Sequence, residues 1–160
     1  AAGGRMAYVS PPRRGSDRKK ELQTKPMAMQ RRVDDWKIYA VHDASMYSTI
    51  TAYIGQDAIA EAFQKLGEWE NESPVSKLGG EYTLAEAALY IYVQDVRRAV
   101  HTLQAYRKNV TMSAQLADAM KLELECHQRL NNKAAVKEVA GEFLKRFPGH
   151  PFETLMKAEL

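Results

Sequence analysis

A chain of 160 residues has room for one domain of ordinary size, and its 45% hydrophobic and 27% charged content excludes both a disordered and a membrane-embedded chain. No run approaches the roughly 20 apolar residues of a membrane span; the most apolar stretch, Leu84 to Val93, is interrupted by Glu86. The net charge of +3 is unevenly spread: residues 1–37 hold ten Lys and Arg against four Asp and Glu, whereas residues 38–160 hold thirteen against sixteen. The body therefore lacks the basic excess that phosphate recognition draws on.

In chain order, residues 1–32 read as a basic extended arm, because Gly3, Gly4, Pro11, Pro12, Gly15 and Pro26 punctuate a segment without helical period. Its cluster Arg13, Arg14, Arg18, Lys19 and Lys20 reads either as a solvated tail or as a dock for an acidic partner surface. A first residue of Ala1 instead of Met fits a processing site, such as a removed organellar presequence would leave. Helical spacing of Val33, Trp36 and Ala40 predicts a short leading helix, and residues 33–160 form the helical domain.

Three helical hairpins are expected, at about 43–75, 82–109 and 113–148. The first is divided near Gly55 and Asp57 and closed by Pro74; the second opens after Gly79 and Gly80 with a helix from about Thr83 and breaks near Val93 to Asp95. The third has a candidate N-cap at Ser113, a turn at Asn131 and Asn132, and a stop at Pro148 and Gly149. The second helices superpose with Ala62, Ala99 and Ala135 in register, at spacings of 37 and 36 residues, where a small side chain permits a close helix crossing. The first helices match at Tyr47, Ile50, Ile54 and Leu84, Ala87, Ile91, with about two extra residues expected before the third turn. The fold class is thus all-α, a short α-solenoid of about three hairpins behind an extended N-terminal arm.

Little in the sequence points to catalysis. Gly79 and Gly80 precede Glu81 and lack the residues of a phosphate loop; Cys126 and His127 are adjacent and diverge by about 100° on a helix, a poor metal pair. A single cysteine forms no intrachain disulfide and fits a reducing compartment. No cofactor is expected, and of Tyr90 and Tyr92 one should pack while the other faces solvent.

The opening Tyr47, Ser48, Thr49, Ile50 and the following Glu61, Ala62, Phe63 resemble the pentatricopeptide repeat family, whose units are helical hairpins of about 35 residues; the resemblance covers residues 43–151. Tetratricopeptide repeats are the competitor, favoured by Phe147 and Pro148. The resemblance implies an organellar RNA adaptor read by polar residues near Thr49 and Glu86, but a carboxylate on that track repels phosphate. In overall plan the chain also resembles the extra pentatricopeptide-like subunits of the mitochondrial ATP synthase catalytic head in kinetoplastids. That likeness implies a non-catalytic matrix subunit bound to the alpha subunit, with Arg13, Arg14, Lys19, Lys20, Thr49, Tyr53, Glu86 and Tyr90 as partner-binding residues.

Overall fold

The structure, a computed structural model, describes residues 38–160. The arm with Arg13, Arg14, Lys19 and Lys20, and Val33 and Trp36 of the expected leading helix, lie outside the described residues. Helix α1 spans residues 38–55 without a break near 43, and α2 spans Ile59–Glu72. A 3₁₀ helix, Pro74–Leu78, leads into α3 (Gly80–Tyr92) and α4 (Val96–Asn109). Then come α5 (Leu116–Arg129), α6 (Lys133–Arg146) and the short α7 (Glu153–Lys157). No strand occurs among the described residues, and each helix from α2 onward packs on the next.

The turns explain the spacing of these helices. Among the described residues, Asp57, Gln94 and Asn131 are the non-glycine residues with positive φ (58°, 68° and 55°), and they fall 37 positions apart in both steps. Each ends a helix in the same way. The N–H of Asp57, Gln94 or Asn131 reaches a carbonyl three residues back, and that of Ala58, Asp95 or Asn132 reaches Tyr53, Tyr90 or His127 five residues back, at 2.8 to 2.9 Å. That pair of bonds satisfies carbonyls orphaned at a helix C-terminus and reverses the chain. The next residue is already the N-cap of the following helix: Asp95 accepts from the Arg98 N–H at 3.3 Å, and Asn132 from the Ala135 N–H at 3.2 Å.

Burial recurs with the same step. Ala62, Leu66 and Trp69 of α2 correspond to Ala99, Leu103 and Tyr106 of α4 and to Val136, Ala140 and Phe143 of α6, all buried. The third helix is therefore in register at Val136 and not at Ala135, which is half-buried. The third turn also needs no extra residues: Lys121 and Gln128 occupy the places of Leu84 and Ile91, and polar side chains at these solvent-facing positions obscure the match. Ser113 is not an N-cap. Gln115 takes that position, while the Ser113 hydroxyl pairs with Tyr106 OH at 2.6 Å.

Residues Val41–Leu160 form one compact unit with two apolar clusters. Met46 and Ile50 pack with Trp69, Tyr82 and Leu89, whereas Leu103, Met120, Leu124, Val139 and Phe143 fill the second, larger cluster. Helix α3 contributes to both, which accounts for its sequence EYTLAEAALYIY being apolar on nearly every side. Gly80, expected as punctuation, is the first residue of α3, and a Cβ there would meet Gln115 Cβ at 2.5 Å and Tyr106 OH at 2.6 Å. A glycine is needed for that close approach. At the C-terminal end the rings of Phe143, Phe147, His150 and Phe152 pack on one another and α7 buries its Met156 fully. No helix among the described residues is long and apolar enough to cross a membrane.

Candidate functional site

The 37-residue step places equivalent residues of α1, α3 and α5 in register: Thr49, Glu86 and Glu123 at one position, and Tyr53, Tyr90 and His127 four residues later. Their environments differ. Thr49 is half-buried and its hydroxyl donates to the Ser45 carbonyl at 2.9 Å, a bond within its own helix. Tyr53 packs against the first apolar cluster. Tyr90 packs against the second, with the Phe63 ring at 6.3 Å and the Arg98 guanidinium 5.5 Å from its ring centre. Tyr92, by contrast, is exposed and its hydroxyl donates to Asp57 at 2.8 Å, so the pair divides as its angular separation predicts.

Glu86 is the predicted residue that lines a cleft. The cavity, about 440 Å³, lies between α3, α4 and the 3₁₀ helix and is bounded by Leu78, Thr83, Ala105, Tyr106 and Val110, with Lys77 and His101 on its polar side. The Glu86 carboxylate is half-buried and accepts one hydrogen bond, from Thr102 at 3.2 Å. Burial holds its pKa above the usual carboxylate value, against the opposing pull of Thr102 and Lys77. Lys77 itself is engaged elsewhere, 2.8 Å from Glu70, where hydrogen bonding and opposite charge lower the Glu70 pKa and raise that of Lys77.

Sequence reasoning missed the strongest charge cluster in the unit. Arg107 of α4, 3% exposed, donates from Nε and Nη2 to the two carboxylate oxygens of Glu123, at 2.8 and 3.1 Å, and from Nη1 to Glu142. Glu123 is fully buried and also meets His127 Nε2 at 3.1 Å. Glu142 in turn takes Arg146, whose guanidinium donates to the Val110 and Arg107 carbonyls at 3.0 and 3.3 Å and so ties α6 to the end of α4. Burial works to lower the Arg107 pKa, but the hydrogen bonds and charges of Glu123 and Glu142 outweigh it and hold the guanidinium charged. The signal available in sequence was slight: Arg107 and Glu123 are 16 residues apart on different helices, and neither carries a motif.

Cys126 is buried, and burial pushes its thiol up to about 11, which opposes thiolate chemistry. Beside the buried His127, a second cleft of about 510 Å³ is bounded by Arg97, His101, Gln104, Asn132 and Glu138. Among the described residues no group of three or more His, Cys, Asp or Glu is placed to hold a metal ion. No protein-family model, curated protein or solved structure matches the chain.

Proposed function

We propose that this protein is a non-catalytic recognition subunit, a short α-solenoid of helical hairpins that binds a protein partner within a larger mitochondrial assembly. The observation that carries the reading is the 37-residue step shared by three left-handed turns and by the buried positions of α2, α4 and α6. Hairpins stacked by such a step extend a surface in one direction, and chains of that design serve protein and nucleic-acid recognition more than chemistry. A partner of protein and not of RNA is favoured by charge: residues 38–160 carry thirteen Lys and Arg against sixteen Asp and Glu, and Glu86 stands where a base-reading side chain is required.

The likeness in overall plan to the pentatricopeptide-like subunits of the kinetoplastid ATP synthase head names one such assembly, with the alpha subunit as partner and the matrix as compartment. A native pull-down from mitochondrial lysate, with and without nuclease, tests both levels. Recovery of the catalytic head irrespective of nuclease is the expected outcome. Recovery of other protein assemblies keeps the recognition reading and removes the ATP synthase; nuclease-sensitive ribonucleoproteins replace both with an RNA adaptor.

A further inference from the structure

We propose that the cleft between α3, α4 and the 3₁₀ helix is a socket for one lysine side chain presented by a partner polypeptide, with Glu86 as the carboxylate that receives its ammonium. The inference deepens the recognition reading above and rests on it.

The chain contains its own template for this position. Glu123 stands 37 residues after Glu86, and there the carboxylate is neutralised by Arg107 from the preceding helix. The residue 37 positions before Arg107 is Glu70, an acid, and it holds Lys77 at the rim of the cleft. The position that supplies a cation to Glu123 therefore supplies an anion beside Glu86, and among the described residues no lysine or arginine forms an ion pair with Glu86. A half-buried carboxylate in apolar surroundings is stabilised by a cation brought in from outside.

The shape of the cleft selects among cations. Leu78, Ala105 and Val110 give it apolar walls that suit an alkyl stem, and Leu78 is 76% exposed, a large apolar side chain left uncovered at the entrance. Thr102 already occupies Glu86 Oε1, whereas its counterpart 37 residues on is the apolar Val139, and a guanidinium fork reaches both oxygens of Glu123, sharing Oε2 with His127. One open oxygen suits the point charge of an ammonium better than a planar fork.

The test is a titration of the full chain, followed by ¹H–¹⁵N spectra, with Nα-acetyl-lysine methylamide and with its uncharged analogue Nα-acetyl-norleucine methylamide. Amide shifts are expected at Leu78, Glu86, Thr102, Ala105 and Val110 with the lysine compound, with affinity about tenfold weaker for the norleucine compound or in Glu86→Gln. Leu78→Ser, at an exposed position that leaves the carboxylate untouched, should also weaken binding. Equal binding of the two compounds, shifts confined to another face, no shifts at all, or unchanged affinity in both variants would overturn the socket. Pull-down of protein partners by a chain that shows no lysine-dependent shift removes the socket and leaves the recognition reading standing; loss of all nuclease-resistant partners removes that reading instead.

Discussion

The α2–α3 and α4–α5 junctions stand one 37-residue step apart, the first connected through a 3₁₀ helix and the second through an irregular turn, and they are closed by different chemistry. At the first, Trp69 and Tyr82 meet edge to face at 5.1 Å, and Asp43 Oδ1 accepts from the Trp69 indole at 2.9 Å and from Ser76 at 2.6 Å. At the second, the place of Trp69 is taken by Tyr106, and the place of Glu70 by Arg107, which enters a buried network with Glu123 and Glu142. Burial first, and then the nearby Glu86 and Glu70, push the Tyr82 pKa above the usual phenol value. The 37-residue step thus brings equivalent positions to both junctions, while the side chains at those positions decide how strongly each meeting depends on one partner.

The largest test of that contrast lies at Arg107. Arg107→Met should cost about 3 to 5 kcal/mol, because Glu123 is left charged in a fully buried place. Pairing it with Glu123→Leu removes the orphaned charge and should recover much of the loss. Chemical denaturation of the two variants decides the matter: equal destabilisation would mean that the network acts through packing and not through charge. Next in size is Ala99→Trp at a fully buried position of α4, where overpacking a close crossing costs about 1 to 3 kcal/mol. An unchanged melting temperature would remove Ala99 from the helix contact. Asp43→Ala at the first junction leaves the indole N–H of the fully buried Trp69 without its acceptor, and a loss of about 2 kcal/mol is expected. If Asp43→Ala proves as damaging as Arg107→Met, the contrast between the junctions fails.

How much of this was legible follows from the range of each interaction. Gly55 and Asp57, Val93 to Asp95, Asn131 with Asn132, and Pro148 mark the ends of helices in sequence and in space, because turn chemistry is local. The register of α6 was misplaced by one residue because an alanine-rich run, Ala134, Ala135, Val136, offers two candidates for one small buried position. Ser113 looked like a cap because its residue type suits one; Tyr106, seven positions earlier, claims the hydroxyl instead. Of the predicted site residues, Glu86 lines a cleft, while Thr49 is satisfied within its helix and Tyr53 and Tyr90 lean on the apolar clusters. The Arg107 network was invisible, since matching an arginine to a carboxylate on another helix requires the packing that only the folded chain supplies.

Glu86 and Glu123 make the same comparison within one register position. Burial raises the Glu86 pKa, so its folded state favours the protonated form; stability gained from that proton is present below the ordinary carboxylate pKa and lost as pH rises through the raised value. Glu86→Gln should therefore raise the melting temperature at neutral pH, and the gain should vanish on acidification below the ordinary carboxylate range. A gain that persists at low pH would show that the variant acts through something other than the charge.

The smallest expected effect concerns the three left-handed turns within the hairpins. Asp57, Gln94 and Asn131 all hold positive φ, but Asn and Asp tolerate that region through local hydrogen bonding, and Gln, with a longer side chain, does not. Gln94→Gly removes a strain of about 1 to 2 kcal/mol and adds roughly 0.5 to 1 kcal/mol of unfolded-chain entropy, so a net gain of about 0.5 kcal/mol is expected. The same change at Asn131 starts from less strain and should be neutral or slightly unfavourable. If the glycine variants at 94 and 131 shift the melting temperature equally, the left-handed turn does not distinguish its occupants.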